Sequence, residues 1–89
     1  MKILTIKDIV RKDFPIYYRR LYTGVALLEL NNNTPAEHRI DFTIEHKPTG
    51  ERAITVTFIG GDIDYPLIPL TKKLKEHIDN LDTNGGLPD

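Results

Sequence analysis

Between His38 and Ile59 the chain alternates with a period of two. Ile40, Phe42 and Ile44 are interleaved with Asp41, Thr43 and Glu45, and Ile54, Val56 and Phe58 with Thr55 and Thr57. Such a period buries one face and wets the other, so both runs read as strands of one β-hairpin. Lys47-Pro48-Thr49-Gly50 lies between them, with Pro at the second turn position and Gly where a positive φ costs least. The two apolar sets must share a face. Ile44 therefore falls opposite Ile54, Phe42 opposite Val56 and Ile40 opposite Phe58. Lys47 then pairs with Glu51, and the loop is Pro48-Thr49-Gly50, with Gly50 suited to a left-handed final position. On the wet face Thr43 meets Thr55, Asp41 meets Thr57 and Glu45 meets Ala53.

The pattern differs on either side of this hairpin. Over residues 5–13, Ile6, Ile9 and Val10 form a stripe at helical spacing. Thr5 suits an N-cap, Asp8 sits three residues later, Leu4 and Ile9 are placed as a hydrophobic staple, and Pro15 stops the element. A short first helix docked on the sheet is the expectation. Residues 17–30 read as a strand whose even positions, Tyr18, Tyr22, Ala26, Leu28 and Leu30, face the core. Its odd positions Leu21, Val25 and Leu27 are apolar too. Three readings account for that second apolar face: cover by the chain's own helix or terminus, a bulge at Gly24 that shifts the phase, or a packed partner. A polar loop, residues 31–37, leads to the hairpin. After Gly60-Gly61, an extended connector over residues 62–69 carries Pro66 and Pro69. A last helix then runs from about Leu70 to Asp82, with Leu70, Leu74, Ile78 and Leu81 on one face. Lys75 and Asp79 are spaced for an exposed pair. Asn84-Gly85-Gly86 ends the helix, and residues 84–89 are expected to form a flexible tail.

The predicted class is α+β: a single small domain over residues 1–89, of order α-β-β-β-α. Its three-stranded antiparallel meander carries the helices on one face, in two layers. The 89 residues include no cysteine, which removes disulfides and thiolate chemistry and favours a reducing compartment. Charge interrupts the first residues too early for a signal peptide, and no apolar run approaches membrane-spanning length. The expected location is cytoplasmic, with no membrane partner.

Catalysis and cofactors find little support. The chain has no serine as well as no cysteine, so the usual acyl-transfer nucleophiles are missing. Phosphate-loop and dinucleotide-binding glycine patterns are absent. His38, His46 and His77 have no helical ligand spacing, and Asp62 and Asp64 fall short of the oxygen donors a divalent cation requires. No catalytic residue, metal ligand or cofactor is assigned.

Charge distribution opens one other possibility. Residues 1–22 carry six Lys/Arg against two Asp/Glu, whereas the whole chain has a net charge of −1. Arg11, Lys12, Tyr17, Arg19 and Arg20 mix cations with rings, and Lys72, Lys73 and Lys75 open the last helix. The expected element order, Pro35 and His38 followed by Phe42, and the Lys72-Lys73 pair resemble the double-stranded-RNA-binding domain. In that family a Pro-x-His loop precedes a Phe by four residues and paired lysines begin the second helix. Here one extra residue separates Pro35 from His38, Thr34 stands at the family's glycine, and residues 62–69 are inserted. The resemblance implies RNA recognised by shape across its grooves. The reading the residues favour is a non-catalytic protein-interaction module, homodimeric through Leu21, Val25 and Leu27. Duplex RNA is the alternative partner.

Overall fold

The computed structural model describes residues 1–12, 18–31, 34–60, 63 and 65–88. Four strands are followed by one helix: β1 (Lys2–Lys12), β2 (Arg19–Glu29), β3 (Ala36–His46), β4 (Arg52–Phe58) and α1 (Leu67–Thr83). The strands form one antiparallel sheet in the order β1-β2-β3-β4. The class is α+β, as expected. The sheet has four strands rather than three, and α1 is the one helix among the described residues.

The expected first helix is in fact an edge strand, and the reason lies in its irregularity. Ile3 pairs with Leu28 and Ile6 with Ala26, so β1 advances three residues while β2 advances two. A second shift occurs between Lys7 and Val10, and within it Asp8 adopts φ 53°. Each extra residue is a β-bulge that keeps the following side chain on the same face. Ile3, Ile6 and Ile9 therefore recur every third residue and all pack on the core. A doubly bulged strand thus imitates the stripe of a helix. Val10, counted in that stripe, is 57% exposed, and Asp8 caps nothing.

The hairpin register is the one derived from alternation. Ile44 pairs with Ile54, Phe42 with Val56, Ile40 with Phe58, and Thr43 with Thr55. At the turn, Gly50 N–H donates to the Lys47 carbonyl and Lys47 N–H to the Glu51 carbonyl, both at 2.9 Å. Gly50 takes φ 90°, the left-handed angle that closes a three-residue loop. On β2 the even positions Tyr22, Ala26 and Leu28 are buried, and the β2–β3 register runs unbroken from Arg19 to Leu28. The bulge suspected at Gly24 is thus not in β2 but in β1, opposite it. A Cβ at Gly24 would meet Ile6 Cγ2 at 3.2 Å and Ile9 Cγ1 at 3.4 Å, so these side chains fill the space the glycine leaves.

α1 closes the core. Leu70, Leu74 and Ile78 are fully buried against Ile6, Tyr22, Ala26, Leu28, Ile40, Phe42 and Ile44. Tyr22 and Phe42 are cross-strand partners with stacked rings 5.1 Å apart. The helix begins three residues before Leu70, with Pro66 at its N-cap and Pro69 as its third residue. The first four N–H groups of a helix lack intrahelical acceptors, so Pro69 removes no hydrogen bond and does not delay the helix. Gly86 N–H donates to the Leu81 carbonyl at 2.7 Å. Leu87, within the expected tail, packs on the core. No helix among the described residues is long and apolar enough to cross a membrane.

Candidate interaction surface

An open sheet has two edges, and here they are built differently. The β1 edge carries two bulges, a left-handed Asp8, and the charges Lys2, Lys7, Arg11 and Lys12. Bulges and lysines are the devices that stop a further strand from pairing. The β4 edge has none of them. Its register is regular from Arg52 to Phe58, and its sequence, Arg-Ala-Ile-Thr-Val-Thr-Phe, is rich in β-branched residues. Ladder alternation fixes which backbone groups it presents. Ile59 N–H donates to the Arg39 carbonyl and Lys47 N–H to the Glu51 carbonyl, so odd-numbered residues of this strand face β3. The N–H and C=O groups of Arg52, Ile54, Val56 and Phe58 point away from the sheet, and no strand among the described residues pairs with them.

Beside this edge runs a furrow. A hollow of about 490 Å³ is lined by Glu51, Arg52, Ile54, Lys75, Glu76 and Asp79. A second, of about 340 Å³, is lined by Leu67, Ile68, Thr71, Lys72 and Lys75. They share Lys75, and residues 68, 71, 72, 75, 76 and 79 follow helical spacing along one flank of α1. Ile54, Val56 and Phe58 stay half-buried although their side chains lie on the core face. At the N-terminal end of α1, Leu67 is 53% and Ile68 85% exposed. The furrow thus joins an unpaired backbone edge to apolar side chains.

A charged cluster sets the other end of α1. Arg20 Nη2 lies 3.0 Å from both Asp82 carboxylate oxygens, and Arg52 bonds to Asp79 and Asp82. Burial pushes the Asp82 carboxyl up, but the hydrogen bonds and charges of Arg20 and Arg52 outweigh it and hold the group below its ordinary 3.8. Asp79 thus takes its partner from β4; the sequence had offered Lys75. Arg20 also bonds to the Tyr22 hydroxyl and contacts His46 Nε2, both at 3.2 Å. This cluster pins the helix C-terminus over β2 and β4.

The second face of β2 lies away from α1. Leu21, Val25 and Leu27 are half-buried there. Lys7 stands opposite Val25 and Lys12 opposite Leu21, while their ion partners Glu37 and Asp41 belong to β3. Each lysine therefore reaches across β2, laying its aliphatic stem over the apolar positions. The hydrogen bond to Glu37 and that carboxylate's charge hold the Lys7 ammonium above its ordinary range. Because β2 is central, the idea that this strand offers a pairing edge is corrected; the edges are β1 and β4.

The cationic candidates do not gather into one patch. Arg19 is bound by Glu45 at 2.7 Å, Arg20 by Asp82 and Lys12 by Asp41 at 3.1 Å. Arg11 lies on the β1 edge, and Tyr17 is outside the described residues. Lys73 lines a hollow with Met1, Lys2 and Ile3, whereas Lys72 and Lys75 line the β4 furrow, so the helix lysines point to different sides. The observed order, four strands then a helix, is not that of the double-stranded-RNA-binding domain. No group of acidic and histidine side chains that could hold a metal occurs among the described residues. Asp62 and Asp64 lie outside them.

Sequence reasoning placed Ile54, Val56 and Phe58 in the core and missed their edge position. The signal was strand order: the last strand of a meander is an edge. Residues 1–83 match the model of a protein family that is designated by a locus tag and whose description states no activity. No curated protein and no solved structure matches the chain.

Proposed function

We propose that this chain, which belongs to that locus-tagged family, is a non-catalytic protein-interaction module that accepts a strand at β4. The observation that carries this reading is the contrast between edges: β1 is bulged and charged, and β4 is regular and unguarded. An incoming strand gains main-chain hydrogen bonds at Ile54, Val56 and Phe58 and sets alternate side chains into the furrow beside α1. This site replaces Leu21, Val25 and Leu27 as the docking element, because the lysine stems already shield those three. The absence of cysteine fits work in the reducing cytoplasm.

The test is amide hydrogen exchange in the dilute full chain, with and without a synthetic peptide copying residues 51–59. Slowed exchange at Ile54, Val56 and Phe58 is the expected result. Unchanged exchange at saturating peptide refutes strand addition.

A further inference from the structure

Resting on that reading of β4, we infer that the strand it accepts is β4 of a second copy of this chain, paired antiparallel about a two-fold axis at Thr55. Three features make the edge complementary to itself. The first is backbone register. With Thr55 opposite Thr55 of the second copy, Ile54 falls opposite Val56 and Arg52 opposite Phe58. Every outward-facing residue of one strand then meets an outward-facing residue of the other, and Arg52–Phe58 overlaps along its whole length.

The second feature is facial chemistry. In this register Ile54, Val56 and Phe58 of both copies lie on the helix side and close the half-buried end of each core. Thr55 and Thr57 of both copies lie on the wet side, where they extend the Thr43–Thr55 pairing of the hairpin.

The third feature is charge order. Along the flank of α1 that faces the furrow, Lys72 and Lys75 precede Glu76 and Asp79. An antiparallel two-fold sets the cationic half of one helix beside the acidic half of the other, whereas a parallel arrangement would oppose like charges. Two-fold interfaces require this kind of self-matching surface. The product is one eight-stranded sheet with a helix of each copy on the same face.

The experiment uses the full chain and Thr55, which is exposed and contributes nothing to the core. Light scattering of the wild type is expected to give twice the 10.2 kDa of one chain. Thr55→Lys, which opposes two ammonium groups at the axis, is expected to give one chain with unchanged circular dichroism. In a cysteine-free chain, Thr55→Cys gives a cross-link under mild oxidation. Facing residues at such non-hydrogen-bonded positions approach to about 4.5 Å between Cα atoms. Thr57→Cys, which faces Ala53 of the second copy, does not cross-link. A one-chain mass at every concentration overturns the second copy. If the peptide copying residues 51–59 still slows the edge amides, strand addition survives that result. A dimer that persists in Thr55→Lys but dissociates in Leu27→Glu overturns the inference in favour of the open sheet face.

Discussion

Asp82→Asn tests the cluster that fixes α1 to the sheet. The side chain of Asp82 is 12% exposed, that of Arg20 21% and that of Arg52 29%. A hydrogen bond to a charged group contributes about 1.5–3 kcal/mol when shielded, and an exposed ion pair about 0–1 kcal/mol. Partial exposure puts the combined loss at about 2 kcal/mol, since Asp79 still holds Arg52 and an amide oxygen still accepts from Arg20. In a domain of this size that lowers the thermal midpoint by about 8–16 °C. The pH dependence follows from the depressed carboxyl. Its contribution is complete above the unfolded-state value and is lost as pH falls through the folded value, which lies below 3.8. The gap between wild type and variant is therefore constant near neutrality and closes in strong acid. Thermal melts by circular dichroism at pH 7 and across the acid range measure both. An unchanged midpoint at neutral pH refutes the latch, and a gap that persists in strong acid refutes its electrostatic origin.

Two further substitutions probe the core and the bulged strand. Ile40→Ala, at a fully buried position on β3, costs about 2–5 kcal/mol in urea unfolding; a loss below about 1 kcal/mol shows the site collapsing freely. Gly24→Ala sets a methyl 3.2 Å from Ile6 Cγ2 and 3.4 Å from the Lys7 carbonyl oxygen, so crowding outweighs the entropic gain and stability falls by about 1 kcal/mol. A stability increase instead shows that the β1 bulge yields easily.

What the sequence made legible was local. The β3–β4 register and its turn followed from two alternating runs and one glycine, because each side chain carried the same instruction as its neighbours. The α1 stripe followed for the same reason. β1 was illegible because its two bulges turn a period of two into a period of three, and no single residue announces an inserted position. The Arg20–Asp82–Arg52 cluster joins positions 62 and 30 residues apart, so no window on the chain contains it. The doubly apolar pattern of β2 was real, but its cover comes from lysines on β1 tied to acids on β3. That arrangement needs the strand order before it can be seen.

The unequal edges make most sense when both copies of the pair are considered. A regular β-rich edge left open invites uncontrolled pairing, which is why edge strands are usually short, bulged or charged. β4 is short, at seven residues, and has Thr rather than apolar residues on its wet face, but it has no other guard. β1 is guarded along its length. Two-fold pairing through β4 consumes both unguarded edges at once and leaves the two copies of β1 as the rims of the resulting sheet. Docking an unrelated peptide would shield β4 only while that peptide is abundant. Self-pairing shields it at a level set by the concentration of the chain itself, so the exposed edge and its cover are always made together.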